Sequence, residues 1–419
     1  MKTSIIILTL NKLPLTIQCL ESIKRNTPEE HEIIIVDNGS SDETVQYLKE
    51  HYPELKLIEN QENLGFAKGC NQGGELAEGE AILFLNNDTV VPPGWLAPML
   101  HALNSDSMAG MSGPVTNYIS GHQCIPVTYS ELKDMEAFAA EYCESKRGQV
   151  QEVRRLIGFC LLVKRSVLEE IGWFDERYGL GNYEDDDLCL RALQHGYKLL
   201  IALDSFIHHI GHASMGQESS FDLNTLLEQN KKKAFQKWGS DIHNLIYTPA
   251  VGVCVGIIAP EDEAALEETL ASFAGIVEQM IVVDPSGNER IAQTAARYTP
   301  QVYTVKGEHD MRMLREWISH MATEPYILWL QEGDILTPDE RRRFTGLKLS
   351  LFHQYQVVSL RCGEGARYMI RQDSAMLYPE DIEQPMQSPF FGLVSGATIS
   401  ARAASADRDR ENATSSIEI

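Results

Sequence analysis

The chain has 419 residues, 43% hydrophobic and 23% charged, enough to fill a sizeable core and long for one domain. Its formal net charge of −24 excludes a nucleic-acid backbone as the main partner, because such binding needs clustered Lys and Arg. A small anionic ligand stays compatible, since backbone dipoles or a metal ion can hold it locally.

The 8 cysteines are scattered, with no CxxC pair and no metal-ligand spacing, which suits reduced thiols packed as small apolar side chains. The apolar run in MKTSIIILTLN is too short for a signal peptide. No stretch approaches the roughly 18–20 apolar residues of a membrane span, so no transmembrane segment is expected. The expected location is the cytoplasm, with peripheral attachment to the inner membrane left open.

In chain order, SIIILTL (4–10) is a β-branched run of the kind that forms a strand buried on both faces. A helical segment from Pro14 to Lys24 leads to HEIIIVDNGS (31–40), a second buried strand ending in turn residues. SDETVQYLKEHY reads as a capped helix, LKLIEN as a third strand, GFAKGCNQGGELA as a glycine-rich helix start and AILFLNND (81–88) as a fourth strand. This alternation predicts an α/β fold with a doubly wound, mostly parallel sheet and a ligand site at the carboxyl ends of its strands. Asn11, Asp37, Asn38, Asn63, Asn86, Asn87 and Asp88 fall at those ends.

Residues 116–153 lose the periodicity and read as an excursion with one helix, Glu131 to Cys143. LIGFCLLV (156–163) is a further strand, VLEEIG a short helix, NYEDDDLCLRALQHG (182–196) a longer one, and KLLIALDSFIHHIG (198–211) a last strand before a polar helical tail. Past a composition break near 245–250, VGVCVGIIA, EQMIVVDPSGNERIAQTAARY and EPYILWLQEGDILTPDE parallel the first, second and fourth strand regions. The chain therefore reads as one domain over 1–245, a degenerate or truncated repeat of the same unit over 250–385, and a small, polar, disordered tail over 386–419.

The motifs SIIILTLN, VDNGSSDET, NLGFAKGCNQG, LFLNNDTVVPPGWL, GFCLLVKRSVLEEIGWFDERY, YEDDDLCLRALQHGY and HHIGHAS come in the order and spacing of the inverting family-2 glycosyltransferases. Over roughly residues 3–215 the chain resembles that family, and in motif style the bacterial rhamnosyltransferase-like enzymes of surface polysaccharide synthesis. The resemblance implies a GT-A type fold, a nucleotide-diphosphate sugar donor, a divalent metal (Mn or Mg) and a hydroxyl acceptor on a saccharide, a lipid-linked saccharide or a protein glycan. A homo-oligomer is left open.

Carried over residue by residue, the resemblance makes Asp88 a metal ligand, with Asn86 where the family has its first acidic residue. It makes His209 the histidine that meets the metal or diphosphate, ahead of His212 and then His208. Thr9, Asn11, Asp37, Asn38, Gly65, Asn71 and Asn87 become the nucleotide-sugar-binding set. A carboxylate at Asp37 suits ribose hydroxyls or a pyrimidine N–H.

The four carboxylates Glu184 to Asp187 have two readings. A helix's first turn favours negative charge, and Asp187 stands at i,i+4 spacing from Arg191. A general base must sit near the attacking hydroxyl, with a pKa that like-charged neighbours can raise. The resemblance puts the base at Asp185, and Asp186 or Asp187 are the alternatives. A protein that binds the nucleotide sugar as a scaffold without turnover is the rival function, suggested by Asn86 and the degenerate repeat.

Overall fold

In the computed structural model, the described residues are 1–211, 223–259, 261–305, 310–331, 333–351, 357–362, 365–373, 379 and 391–401. The chain divides into two compact units: Met1–Leu193 with Tyr197–Tyr247, and Gln194–Gly196 with the chain from Thr248 on.

The first unit opens as expected: β1 (Thr3–Thr9), α1 (Leu13–Asn26), β2 (His31–Asp37), α2 (Thr44–His51), β3 (Lys56–Glu59), α3 (Phe66–Leu76) and β4 (Ala81–Asn86). Strands β1, β2, β3 and β4 pair in parallel, and Ile5, Ile6 and Ile7 are buried because both faces of β1 are covered. Then follow β5 (Thr89–Val90), α4 (Leu96–Asn104), β6 (Ala109–Thr116), α5 (Met135–Ser145), β7 (Val150–Val153), β8 (Cys160–Lys164), α6 (Arg165–Ile171), α7 (Glu184–Gln194), β9 (Lys198–His209), α8 (Leu223–Trp238) and α9 (Ile242–Tyr247). The strand order is β3-β2-β1-β4-β8-β6-β9-β5, with β7 against β9. This is the doubly wound, mostly parallel α/β sheet expected. Pairing is antiparallel at β8 and at β5, and the short β5–β9 pairing sets Thr89 opposite His209.

Strand β6 had no sequence signal. AGMSGPVT contains two glycines, a serine and a proline, yet all of its positions are buried. Gly110 and Pro114 are accepted in this central strand because the β6–β9 register shifts at each of them, between Ala109 and Met111 and between Gly113 and Val115.

The second unit contains β10 (Val253–Ile258), α10 (Glu263–Phe273), β11 (Gln279–Asp284), α11 (Glu289–Ala295), β12 (Val302–Thr304), α12 (Met311–Met321), β13 (Tyr326–Leu330), β14 (Asp334–Ile335), α13 (Pro338–Ser350), β15 (Val357–Cys362), β16 (Gly365–Arg371) and β17 (Phe391–Ala401). Its order, β12-β11-β10-β13-β16-β15-β17-β14, repeats that of the first unit strand for strand, apart from β7. The repeat therefore runs further than the sequence parallels suggested. Its core gathers Val255, Ile257, Leu266, Leu328, Phe344 and Val358.

Within the stretch expected as a tail from 386, residues 391–401 form β17, which pairs in parallel with β15 at Val357–Phe391 and onward. FGLVSGATISA is rich in small residues, but its Val, Thr and Ile give it strand character, and the ladder supplies the backbone partners. Residues 402–419 lie outside the described residues.

Candidate active site

The strand-end loops of the first unit hold one another through side chains. Asn11 has a left-handed backbone (φ 55), and its Oδ1 accepts from the Ser41 N–H at 2.8 Å, tying the end of β1 to the turn after β2. Asp37 Oδ2 accepts from the N–H groups of Gly39 (3.1 Å) and Ser40 (2.9 Å). Its Oδ1 is buried with no partner among the described residues, which leaves an acceptor for an outside donor.

Several expected contact residues also hydrogen-bond within the protein. Thr9 Oγ1 lies 2.8 Å from Thr16 Oγ1, and Asn87 Nδ2 donates to both, at 3.2 and 3.0 Å. Asn38 donates to Asn63 Oδ1 (2.9 Å) and the Gly65 carbonyl (3.1 Å), and accepts from Asn60 (3.0 Å). Asn71 donates to the Phe174 carbonyl and accepts from the Phe174 N–H, at 2.9 and 3.1 Å. These amides brace the loops around the site.

Gly65 also has a packing reason. Its φ is +88, and a Cβ there would stand 2.0 Å from the Gly179 carbonyl oxygen. Strained backbone and overpacking each cost about 1–3 kcal/mol, so Gly65→Ala is expected to lower the urea midpoint by the equivalent of about 3 kcal/mol.

The acidic run is not a solvated patch: Glu184, Asp185, Asp186 and Asp187 are 6, 8, 2 and 0% exposed. Asn182 (φ 70) and Tyr183 (φ 79) lead into it with two consecutive left-handed residues, a strained approach held by Asn230. The Asn230 amide from α8 faces the carbonyls of Tyr178, Gly181 and Asn182 at 2.7, 2.8 and 3.1 Å.

Each carboxylate then has its own surroundings. Asp187 accepts from Arg191 Nε (2.8 Å), Trp238 Nε1 (2.9 Å) and Tyr178 Oη (3.2 Å), with Lys237 Nζ at 2.7 Å, so it anchors structure. Asp186 is clamped by Arg155 and by His243 Nε2 at 2.8 Å. Burial pushes its pKa up, but the His243 and Arg155 hydrogen bonds outweigh burial and hold it below the usual range. Asp185 accepts from two backbone N–H groups, Gly158 at 3.0 Å and Asp186 at 2.9 Å. Burial, then the Asp186 charge, raise its pKa to about 6. Glu184 is raised by burial and by Asp185.

At the other end, the β5–β9 pairing brings His209 Nε2 to 3.2 Å from Asp88 Oδ1. His209 Nδ1 lies 2.8 Å from the Tyr118 carbonyl, which places a ring proton on Nδ1 while Nε2 faces the carboxylate oxygen; burial disfavours the charged ring, but the Asp88 hydrogen bond and charge outweigh it and raise the His209 pKa. Two acceptors at that distance need a cation between them, a proton or a metal ion. Adjacent ligands of an octahedral ion at about 2.1 Å stand about 3 Å apart, so the pair fits a divalent metal. His209 also has the backbone-oriented second nitrogen usual for a ligating histidine. His208 is otherwise engaged, with Nδ1 2.5 Å from Tyr129 Oη, and His212 lies outside the described residues. Among the described residues no three His, Cys, Asp or Glu side chains gather as a metal site.

One dipeptide ahead of β8 connects the two ends, and sequence reasoning gave it no role. The Gly158 N–H holds Asp185, the Phe159 carbonyl accepts from the Asn86 N–H at 2.8 Å, and the Phe159 ring stacks on His209 at 5.2 Å. Arg155 and His243 were also missed: Arg155 stands in a plain Arg154-Arg155 pair with no motif around it, and His243 reaches Asp186 across 57 positions.

In the second unit, Asp284 repeats the Asp37 turn, accepting from the Ser286 N–H at 2.9 Å. Asp334, near the place of Asp88, is bound instead by Arg367, with Nε at 2.6 Å and Nη2 at 2.8 Å.

Residues 4–172 match the family described as Glycosyl transferase family 2. The chain is 27% identical over 263 residues to an uncharacterized glycosyltransferase, YwdF, of Bacillus subtilis, covering 62% of this chain and 91% of that one. It is 28% identical over 225 residues to the N-acetylglucosaminyl-diphospho-decaprenol L-rhamnosyltransferase of Mycobacterium tuberculosis, covering 46% of this chain and 72% of that protein. Among solved structures, GalNAc-T7 with UDP, GalNAc and Mn2+ is similar at a TM-score of 0.46 and 17% identity, over 59% of this chain and 50% of that one. Among the described residues no helix is long and apolar enough to cross a membrane.

Proposed function

With residues 4–172 belonging to glycosyl transferase family 2, we propose that this chain is an inverting glycosyltransferase with Asp185 as general base. The donor is a nucleotide-diphosphate sugar. The acceptor is a hydroxyl of a saccharide, with a lipid-linked saccharide favoured by the named rhamnosyltransferase relative. The observation that carries the reading is the Gly158-Phe159 dipeptide, which touches the proposed base, the Asn86 backbone and the proposed metal histidine at once.

Asp88 and His209 would hold a divalent cation, which when bound supplies Lewis-acid charge to the leaving diphosphate. Asp37 offers its unpartnered oxygen to the nucleoside. As the acceptor oxygen attacks the anomeric carbon, Asp185 takes its proton and the bond from that carbon to the phosphate oxygen breaks. One displacement leaves the product with inverted anomeric configuration. The second unit is proposed to be silent, since Arg367 occupies the carboxylate nearest the place of Asp88.

The test is a donor panel of uridine- and thymidine-diphosphate sugars with Mn or Mg and saccharide or lipid-linked acceptors, the product anomer being read by NMR. Transfer with inversion is expected. Retention of configuration would overturn the mechanism, and nucleotide binding without transfer to any acceptor would favour the scaffold reading.

A further inference from the structure

We propose that Arg155, Asp186 and His243 form a positioning cluster that sets how readily Asp185 takes a proton. The inference rests on the reading of Asp185 as base. None of the three needs to touch a substrate.

The geometry carries it. Asp185 and Asp186 are joined through the Asp186 N–H on Asp185 Oδ1, so two buried carboxylates stand side by side at the start of α7. Among the described residues no cation bonds to Asp185, whose partners are the backbone N–H groups of Gly158 and Asp186. The cations are all on Asp186: Arg155 reaches both its oxygens, and His243 from α9 reaches Oδ2 at 2.8 Å. Asp186 is thus a buried negative charge beside the base, and Arg155 and His243 determine how much of that charge Asp185 feels.

The other groups around Asp185 do not vary this balance in the same way. Glu184 on the same helix is shifted toward its neutral form, mainly by burial. Cys189, one turn on, is a buried thiol whose pKa is pushed up by burial, so it carries no charge near neutrality. What remains is one anion and two cations, held by three different elements: α7, the loop between β7 and β8, and α9.

Opposite shifts follow for opposite substitutions. Removing the anion with Asp186→Asn leaves the cations facing Asp185 and makes its carboxylate easier to ionise. Removing one cation with His243→Gln, which keeps a donor of similar reach, leaves Asp186 less compensated and makes Asp185 harder to ionise. A unit charge at this range in a partly buried site moves a pKa by about one unit. In the double variant the two effects oppose each other.

The experiment is a pH titration of carboxyl-13C aspartate in the full chain, with the Asp185 resonance assigned by its loss in Asp185→Asn. Asp186→Asn is expected to lower the Asp185 midpoint by about one unit and His243→Gln to raise it, with the double variant returning toward wild type. Arg155→Lys, which keeps the charge, is expected to hold the midpoint near wild type. A midpoint that stays within about 0.3 unit in both single variants would overturn the proposal and leave the cluster a structural clamp. The reading of Asp185 is tested separately: if Asp185→Asn retains full turnover, the base assignment falls whatever the titration shows.

Discussion

Replacing Asp185 with Asn is expected to lower turnover about 10³-fold while nucleotide affinity changes little. The substitution keeps size and removes the proton acceptor. It also forfeits one of two backbone hydrogen bonds, because Asn has a single acceptor oxygen where Gly158 and Asp186 now donate to two. That loss is worth about 1 kcal/mol, too little to unfold the unit, and removing a buried charge offsets part of it. The wild-type rate should fall as pH drops through about 6, because Asp185 works deprotonated and burial holds its pKa near that value. The sign is fixed by the chemistry: a base is lost on the acid side. The measurement is a pH–rate profile beside calorimetric titration with the nucleoside diphosphate. A variant with a wild-type profile would reject Asp185 as base, whereas loss of nucleotide binding would indicate a damaged fold.

Much of the fold was legible because buried parallel strands announce themselves as β-branched runs, and SIIILTL and HEIIIVD became β1 and β2 almost to the residue. What stayed hidden had no such chemistry. The small residues of β6 carry no periodicity, and its burial comes from β8 and β9 beside it and from α4 packed against it. The acidic run was visible as charge but not as divided function. Glu184 to Asp187 are near-identical in sequence, and their roles separate through what packs against each: a backbone dipeptide on Asp185, Arg155 and His243 on Asp186, Arg191 and Trp238 on Asp187. The asparagines illustrate a second limit. An Asn at a strand end can meet a ligand or brace a loop with the same amide, and Asn38 and Asn71 brace. The family resemblance put His209 ahead of the adjacent His208, and the two rings have different partners, Tyr118 for His209 and Tyr129 for His208.

Asp88→Asn and His209→Ala are each expected to cost about 10²–10⁴-fold in turnover and to weaken Mn binding, read by electron paramagnetic resonance with a nucleoside diphosphate present. His208→Ala is the control and should change either quantity little, since its imidazole is turned to Tyr129. A buried carboxylate oxygen stands 3.2 Å from an imidazole nitrogen whose ring carries a proton on the far side, toward Tyr118, an arrangement that calls for a proton or a metal ion between the two. Asp88→Asn keeps the volume and removes the charge, so a thermal midpoint near wild type is expected for it, whereas His209→Ala also gives up the stacking on Phe159 and the Tyr118 hydrogen bond and is read by its metal affinity. Loss of metal binding without loss of stability distinguishes a ligand pair from a structural ion pair, whose disruption would leave a buried charge at a cost of about 3–5 kcal/mol. If both residues serve one ion, the double variant should be hardly worse than either single one, because the second removal acts on a site already empty. Multiplicative losses would assign them to separate tasks.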